Sequence, residues 1–227
     1  MTRPCMVIAI DGPAASGKSS TSQWVAQRLG YLHVDSGSLY RALTAALLRS
    51  GRDPEEWTPV EMLATAERIG LRAEETSFGT LIDGERVEEE IRGSAVTEHV
   101  SRVARVPEVR AWVNDRVRAA AEAHDVVVDG RDMGTAVFPE AALKIFLVAD
   151  SWERARRRLT QRLGRGPSDD EIAGETDVLV QRDSKDATQT VQAKDAVLLD
   201  TTYLTQAEQV DRIVALAHAV SHREDAT

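Results

Sequence analysis

An apolar run, Met6-Val7-Ile8-Ala9-Ile10, is followed after Asp11 by Gly12-Pro13-Ala14-Ala15-Ser16-Gly17-Lys18-Ser19, and no other stretch restricts the chain so severely. The spacing is that of a phosphate-binding loop: glycine, four residues, Gly-Lys, then a hydroxyl residue. Gly12 and Gly17 let the backbone turn tightly and bring its N–H groups close to a polyphosphate with no side chain between. A helix starting near Lys18 aims its positive end at the same anion. In such a loop Lys18 bridges the outer phosphates and the Ser19 hydroxyl sits on Mg2+. Strand, loop and helix in that order predict a nucleoside triphosphate site at the edge of a parallel sheet.

The 227 residues suffice for one sizeable α/β core with insertions. A net charge of −9 argues against a broad nucleic-acid surface, so positive charge for anionic substrates has to be concentrated locally. No apolar run is long enough for a bilayer, and Met1-Thr2-Arg3-Pro4 leads into the first strand without a signal-peptide pattern, so no membrane partner is expected. The single cysteine, Cys5, excludes an internal disulfide and a cysteine-built zinc site, which suits a reducing cytoplasm. His218 and His222 lie one helical turn apart, but no carboxylate completes a metal set, and they read as surface residues.

Trp24, Val25 and Leu29 give a helical stripe closed by Gly30; Tyr31–Val34 reads as a strand ending in Asp35-Ser36-Gly37, and a helix over 39–50 stops at Gly51. The alternation predicts an α/β fold, a parallel-sheet core with helices on both faces. Between 57 and 105 the pattern changes. A helix over 61–69 gives way to short strands at 71–73, 80–82 and 86–87 around an Asp83-Gly84 turn, which predicts an inserted subdomain with a small antiparallel sheet. Helices over 96–103 and 107–123 follow, then strands at 126–130, 144–148 and 196–199. An arginine-rich helix over 152–163 and the flexible Gly164-Arg165-Gly166-Pro167 lie between the last two strands. The final helix is expected over 206–221, with fraying from His222. These divisions give a core of 1–57, 104–153 and 183–227, an insert of 58–103 and a short lid of 154–182.

Asp129, at the end of a buried strand, has the position of an acid that holds Mg2+ through water; the alternative is a cap on the next turn. Arg131 supplies the cation that a transferring phosphoryl group needs, and Asp132 can accept a hydrogen bond from a base amino group. Arg41 can point back toward the loop from the helix after Asp35. Arg154, Arg158, Arg162 and Arg165 recur at helical spacing, with Arg157 adjacent. They fit either a lid that closes on phosphates or a solvated basic face.

Taken together, Ile10-Asp11-Gly12-Pro13 with its loop, Asp35-Ser36-Gly37 through Tyr40-Arg41, Ile91-Arg92, Ser101 through Pro107, Arg110, Asp129 to Thr135, Lys144-Ile145-Phe146-Leu147, Arg182-Asp183 with Asp186, and Leu199-Asp200-Thr201-Thr202 resemble bacterial cytidylate kinase, within the nucleoside monophosphate kinases. The resemblance runs from Val7 to about Leu216. It implies a monophosphate-binding insert, a short arginine-rich lid and a monomer. It also implies ATP with Mg2+ as donor, held by Gly12 through Ser20 together with Arg154 and Arg158, and CMP or dCMP as acceptor. By position, Lys18, Arg131 and Arg158 are its catalytic cations. Ser36, Arg41 and Arg131 grip the acceptor phosphate; Ser101, Arg110 and Asp132 read cytosine; Arg182 and Asp186 lie on the ribose side.

One segment departs from the family pattern. After Asp186 the run Ala187-Thr188-Gln189-Thr190-Val191-Gln192 is shortened, and Gln189 stands where an arginine is expected. Three alternatives stay open on sequence alone: a related P-loop kinase with another acceptor, a weakly active nucleotide-binding homologue, and a nucleotide-dependent switch.

Overall fold

The computed structural model describes residues 5–224, so what was expected of Met1–Pro4 and of the tail at 225–227 lies outside the described residues. From β1 (Val7–Asp11) the chain passes through the glycine-rich loop into α1 (Lys18–Leu29), then β2 (Leu32–Asp35) and α2 (Ser36–Leu48). The Asp35 carboxylate caps α2 by accepting from the Ser38 N–H. A 3-10 turn at Pro54–Glu56 and α3 (Pro59–Ala66) lead to β3 (Ile69–Ala73), β4 (Phe78–Ile82) and β5 (Glu85–Arg86), which pair antiparallel. After a second 3-10 turn at Glu90–Arg92 come α4 (Ser94–Val103), α5 (Pro107–Ala121), β6 (Val126–Gly130) and a π-helical turn at Met133–Val137. β7 (Leu143–Val148), α6 (Ser151–Leu163), α7 (Asp169–Asp186), β8 (Val197–Asp200) and α8 (Gln206–Glu224) complete the chain.

The main sheet is parallel throughout, in the order β2-β6-β1-β7-β8. Side chains alternate across it. Ala9, Val126 and Val128 join Val34, Leu39, Leu43, Val113 and Val117 on one face. Ile8, Ile10 and Val127 join Val25, Ile145, Leu147, Ile213 and Val214 on the other. Met62, Ile69, Ile82, Ile91 and Val100 from the insert belong to the first cluster, whereas α6 and α7 have a small one of their own, Ala155, Leu159, Ile172 and Leu179 against Ala14 of the loop. The register sets Asp35 opposite Asp129 and Asp11 opposite Gly130, bringing three acidic residues to the carboxyl edge of the sheet.

Three expectations are corrected. Ile69 begins β3, paired with Ile82, instead of ending α3. The stretch after Pro167 is an eighteen-residue helix, α7, opened by a capping box between Ser168 and Glu171. The last helix continues past Ser221 to Glu224. No helix among the described residues is long and apolar enough to cross a membrane.

Candidate active site

Close packing of β1 on β7 forces the loop's first residue. At Gly12, φ is +152°, and an added Cβ would stand 2.2 Å from the Leu147 carbonyl oxygen, so no larger residue fits. Gly17 and Ala15 also take left-handed conformations, φ 88° and 56°, the second a cost that a non-glycine residue bears where backbone N–H groups must turn inward. Lys18 is buried under this turn and donates to the Pro13 carbonyl at 2.6 Å. Burial, then the charge of Arg131, pushes its ammonium down to about 7.

Two side chains from elsewhere clamp the loop. Asp183 on α7 accepts from the Ala14 N–H at 3.0 Å, and Arg154 on α6 donates to the Ala14 carbonyl at 2.7 Å. The two clamps pair with each other at 2.6 Å. Arg154, expected on the ATP phosphates, is thus buried among protein acceptors and is not among the residues lining the cleft. Of the other stripe arginines, Arg158 and Arg162 both bridge to the buried Glu175 on α7, Arg165 pairs with Glu171, and Arg157 holds the Thr201 and Thr202 carbonyls. The flexible stretch expected here is braced by these pairs.

At the sheet edge the Ser19 hydroxyl donates to Asp129 at 2.7 Å, and His33 contacts the other carboxylate oxygen of Asp129 at 2.6 Å. Burial opposes the charged form of both partners, yet their mutual hydrogen bond raises the imidazole and lowers the carboxyl. Asp35 is raised by burial and by the charge of Asp129. A hydroxyl and one carboxylate are the hard oxygen donors that Mg2+ takes from protein when phosphates and waters supply the rest. No group of three or more His, Cys, Asp or Glu side chains that could hold a metal ion exists among the described residues.

Facing the loop is a crowd of cations. Arg41, Arg131, Arg158 and Arg182 all line the same cleft, with Ser36, Ser101, Arg110, Asp132 and Asp186. Burial, then Arg131 and Arg41, drives Arg182 down to about 10; burial likewise lowers Arg41, with Arg92, Arg158 and Arg131 adding to it. The Nε atoms of Arg131 and Arg182 are buried without a hydrogen-bond partner. Leaving such donors unmet is costly, and an anion between them would relieve both the unmet donors and the repulsion. Arg41 is steered by the Ile91 carbonyl and the Thr97 hydroxyl, both at 3.1 Å, and Arg131 reaches Asp186 at 3.4 Å. The Ser36 hydroxyl donates to the Asp129 carbonyl at 2.7 Å. Arg110 and Asp132 form an ion pair deeper in the cleft.

Sequence reasoning missed the residues that hold this site from behind. Asp11 accepts from the Met133 and Gly134 N–H groups, each at 2.8 Å, and so fixes the π-helical turn behind Arg131 and Asp132. Asp11 and Asp183 stand within motifs quoted from the sequence but had no role there, and His33 was not singled out beside Asp35. The cleft encloses about 1400 Å3, more than the roughly 300–1,000 Å3 usual for one small ligand, and leaves room for two.

A phosphate loop at the carboxyl edge of a parallel sheet, facing a second cationic wall across a two-ligand cleft, defines a P-loop kinase. Residues 8–219 match the family model for cytidylate kinase, and the chain belongs to that family. The cytidylate kinase of Limosilactobacillus reuteri is 40% identical over 91% of this chain and 92% of its own length. That of Geobacillus kaustophilus is 44% identical over 93% and 96%. Among solved structures, an uncharacterized protein from Eubacterium ventriosum has the same fold at 11% identity, with a TM-score of 0.51 over 93% of this chain and 97% of the other.

Proposed function

We propose that the chain transfers the γ-phosphoryl group of ATP to CMP or dCMP, giving ADP and CDP or dCDP. The single observation that carries the reading is the set of crowded guanidinium groups, two with buried Nε donors that make no hydrogen bond, lining the same cleft as the phosphate loop. Phosphoryl transfer requires that arrangement: two polyanions brought together with cations between them and no covalent intermediate. An oxygen of the acceptor phosphate attacks the γ-phosphorus in line; the bond to the β-bridging oxygen breaks, and ADP leaves with its electron pair.

In this reading Gly12 through Ser20 hold the triphosphate, and Lys18, Arg131 and Arg158 neutralise the transferring group. Arg154 serves through the Ala14 carbonyl it holds, a revision of the direct contact expected from sequence. Ser36, Arg41 and Arg131 take the acceptor phosphate, and Arg182 and Asp186 lie at the ribose. Ser19 and Asp129 would hold Mg2+, whose charge would offset that of the donor's phosphates. Both walls of the cleft come from one chain, which supports a monomer; the absence of a disulfide-forming cysteine pair supports work in the cytoplasm. The division into core, insert (58–103) and lid (154–182) is retained as part of the proposal.

Base choice follows from complementarity. Cytosine offers an amino donor at N4 and acceptors at N3 and O2, matched by the Asp132 carboxylate and the donors of Arg110 and Ser101. Uracil turns a carbonyl toward Asp132, and a mismatch of roughly 1–3 kcal/mol per polar group gives about a five- to 150-fold preference for cytosine for each group left unmatched. An ADP-release assay across CMP, dCMP, UMP, AMP and shikimate tests the proposal. CMP and dCMP should lead, Lys18→Ala should nearly abolish turnover, and Asp132→Ala should draw the CMP-to-UMP ratio toward one. No turnover with either cytidylate, or an unchanged ratio in Asp132→Ala, would overturn it.

A further inference from the structure

Behind the acid assigned to Mg2+ stands a buried histidine. His33 is 7% exposed, and its Nε2 lies 2.6 Å from Asp129 Oδ1. An ionised carboxylate only accepts, so the ring carries a hydrogen on Nε2. Strand alternation brings the two together. His33 of β2 stands opposite Val127 of β6, and Asp129, two residues further along β6, faces the same side of the sheet. The backbone of His33 is in turn tied to the insert: its N–H donates to the Thr76 carbonyl at 3.1 Å, beside a bridge from His33 to Ser77.

Asp129 is thereby gripped on both carboxylate oxygens. Ser19 donates to Oδ2 at 2.7 Å and His33 to Oδ1, while the Ser36 hydroxyl holds the main-chain carbonyl of the same residue. The last torsion of an aspartate is broad and nearly two-fold, so a single donor leaves the plane of the group free to turn. Donors on both oxygens fix that plane and keep Oδ2 at Ser19. Charge adds a second requirement. The register sets Asp35 opposite Asp129, and two carboxylates side by side repel. Each acid has a basic partner of its own, Arg92 at 3.7 Å from Asp35 and His33 against Asp129.

Resting on the assignment of Mg2+ to Ser19 and Asp129 under Proposed function, we infer that His33 is a positioning residue for the metal: by holding Asp129 Oδ1 it sets the carboxylate so that Oδ2, beside the Ser19 hydroxyl, is the oxygen offered to the ion. Partners that orient a metal-binding side chain in this way are commonly worth roughly ten- to a hundredfold in metal affinity or activity. A purely structural histidine would instead change stability with no effect that depends on the ion.

The test compares His33→Phe, which keeps a flat ring and removes the donor, with His33→Gln, whose amide nitrogen lies as many bonds from Cβ as Nε2 does and can still donate. The readout is equilibrium binding: calorimetric dissociation constants of ATP in EDTA and in Mg2+, and the affinity of Mn2+ for the protein–ADP complex by electron paramagnetic resonance. In His33→Phe the constant in EDTA should stay within about twofold of wild type, while those for ATP in Mg2+ and for Mn2+ should rise about tenfold. His33→Gln should recover most of that loss. The KM for CMP should stay within about twofold, because His33 faces Asp129 and not the guanidinium groups assigned to the acceptor. If His33→Phe does not fold, His33→Asn, which carries its donor one bond closer to the backbone, takes its place. Wild-type Mg2+ and Mn2+ binding in the donor-less variant, with both lost in Asp129→Asn, would sink the inference alone. An equal loss in EDTA would also overturn it, marking a structural role. If Asp129→Asn itself bound both ions as tightly as wild type, the metal assignment would fall and this inference with it.

Discussion

The insert and the α6–α7 pair both flank the cleft, yet they are attached to the core by different physics. Met62, Ile69, Ile82, Ile91 and Val100 of the insert sink into the same apolar cluster as α2, α5 and one face of the sheet. The α6–α7 pair has a small cluster of its own, to which the loop contributes Ala14 and the partly buried Ala15. Its attachments to the loop and to the end of β8 are polar: Arg154 with the Ala14 carbonyl, Asp183 with the Ala14 N–H, and Arg157 with the Thr201 and Thr202 carbonyls. Apolar burial contributes about 25 cal/mol per Å2 regardless of salt, while partly exposed ion pairs contribute little and are screened. The insert is therefore fixed to the core by apolar burial, and the α6–α7 pair is the part whose attachment responds to salt and pH.

The sharpest way to break this contrast is a cavity in the apolar junction. Ile82 is fully buried, and Ile82→Ala should cost about 2–5 kcal/mol of global stability. The corresponding fall in Tm is roughly 5–15 °C, and a calorimetric shift below about 3 °C would show that the insert is not part of the cooperative core.

A pH series probes a buried carboxyl at the end of β1, in the core to which the insert is fixed. Burial lifts the Asp11 carboxyl to about 6, against the pull of the Gly134 and Met133 N–H groups. The folded state then holds this proton more tightly than the unfolded chain does. Between about pH 4 and 6 the folded state binds more protons, so this group's contribution declines as pH rises, by on the order of 2–3 kcal/mol in total. Asp11→Asn should flatten that decline in denaturant melts at pH 4.5 and 7; parallel curves for both proteins would sink the assignment.

On the ionic side the expected effect on stability is smallest. Asp183→Asn keeps an acceptor for the Ala14 N–H but loses the charge facing Arg154. With the carboxylate partly exposed, the cost should be about 1–2 kcal/mol, below that of a fully buried pair. Amide exchange should quicken across α6 and α7, the KM for ATP should rise several-fold, and Tm should move by only a few degrees. Unchanged exchange in those helices would leave the ionic account without support.

The same contrast explains what could be read from sequence. β1, the loop, α1, β2 and α2 were legible because apolar periodicity and glycine punctuation agree there. α7 was not: its buried positions are Ile172, Glu175, Leu179 and Asp186, so carboxylates that serve arginines interrupt the apolar stripe. β3 was misjudged by two residues because Ile69 continues the helical pattern of α3 locally and is recruited only by its pairing with Ile82. At the site, the cleft-facing residues carried motif spacing, and they do share one cleft. Asp183 and Asp11 stand in the same motifs, but their task was not legible, since their contacts with Ala14 and Met133 span 169 and 122 positions and leave no local trace.

The bond from Lys18 to the Pro13 carbonyl also has a consequence for which nucleotides are accepted. Two of the ammonium's three N–H groups are held by its own loop, at the Pro13 carbonyl and the Ser16 hydroxyl, and the third, with the charge, remains for a newcomer that reaches far enough. A nucleotide with too few phosphates would leave this internal tether intact and gain less of the lysine's attraction. Selection by phosphate-chain length would thus be built into the resting loop, ahead of any motion of the helices above it.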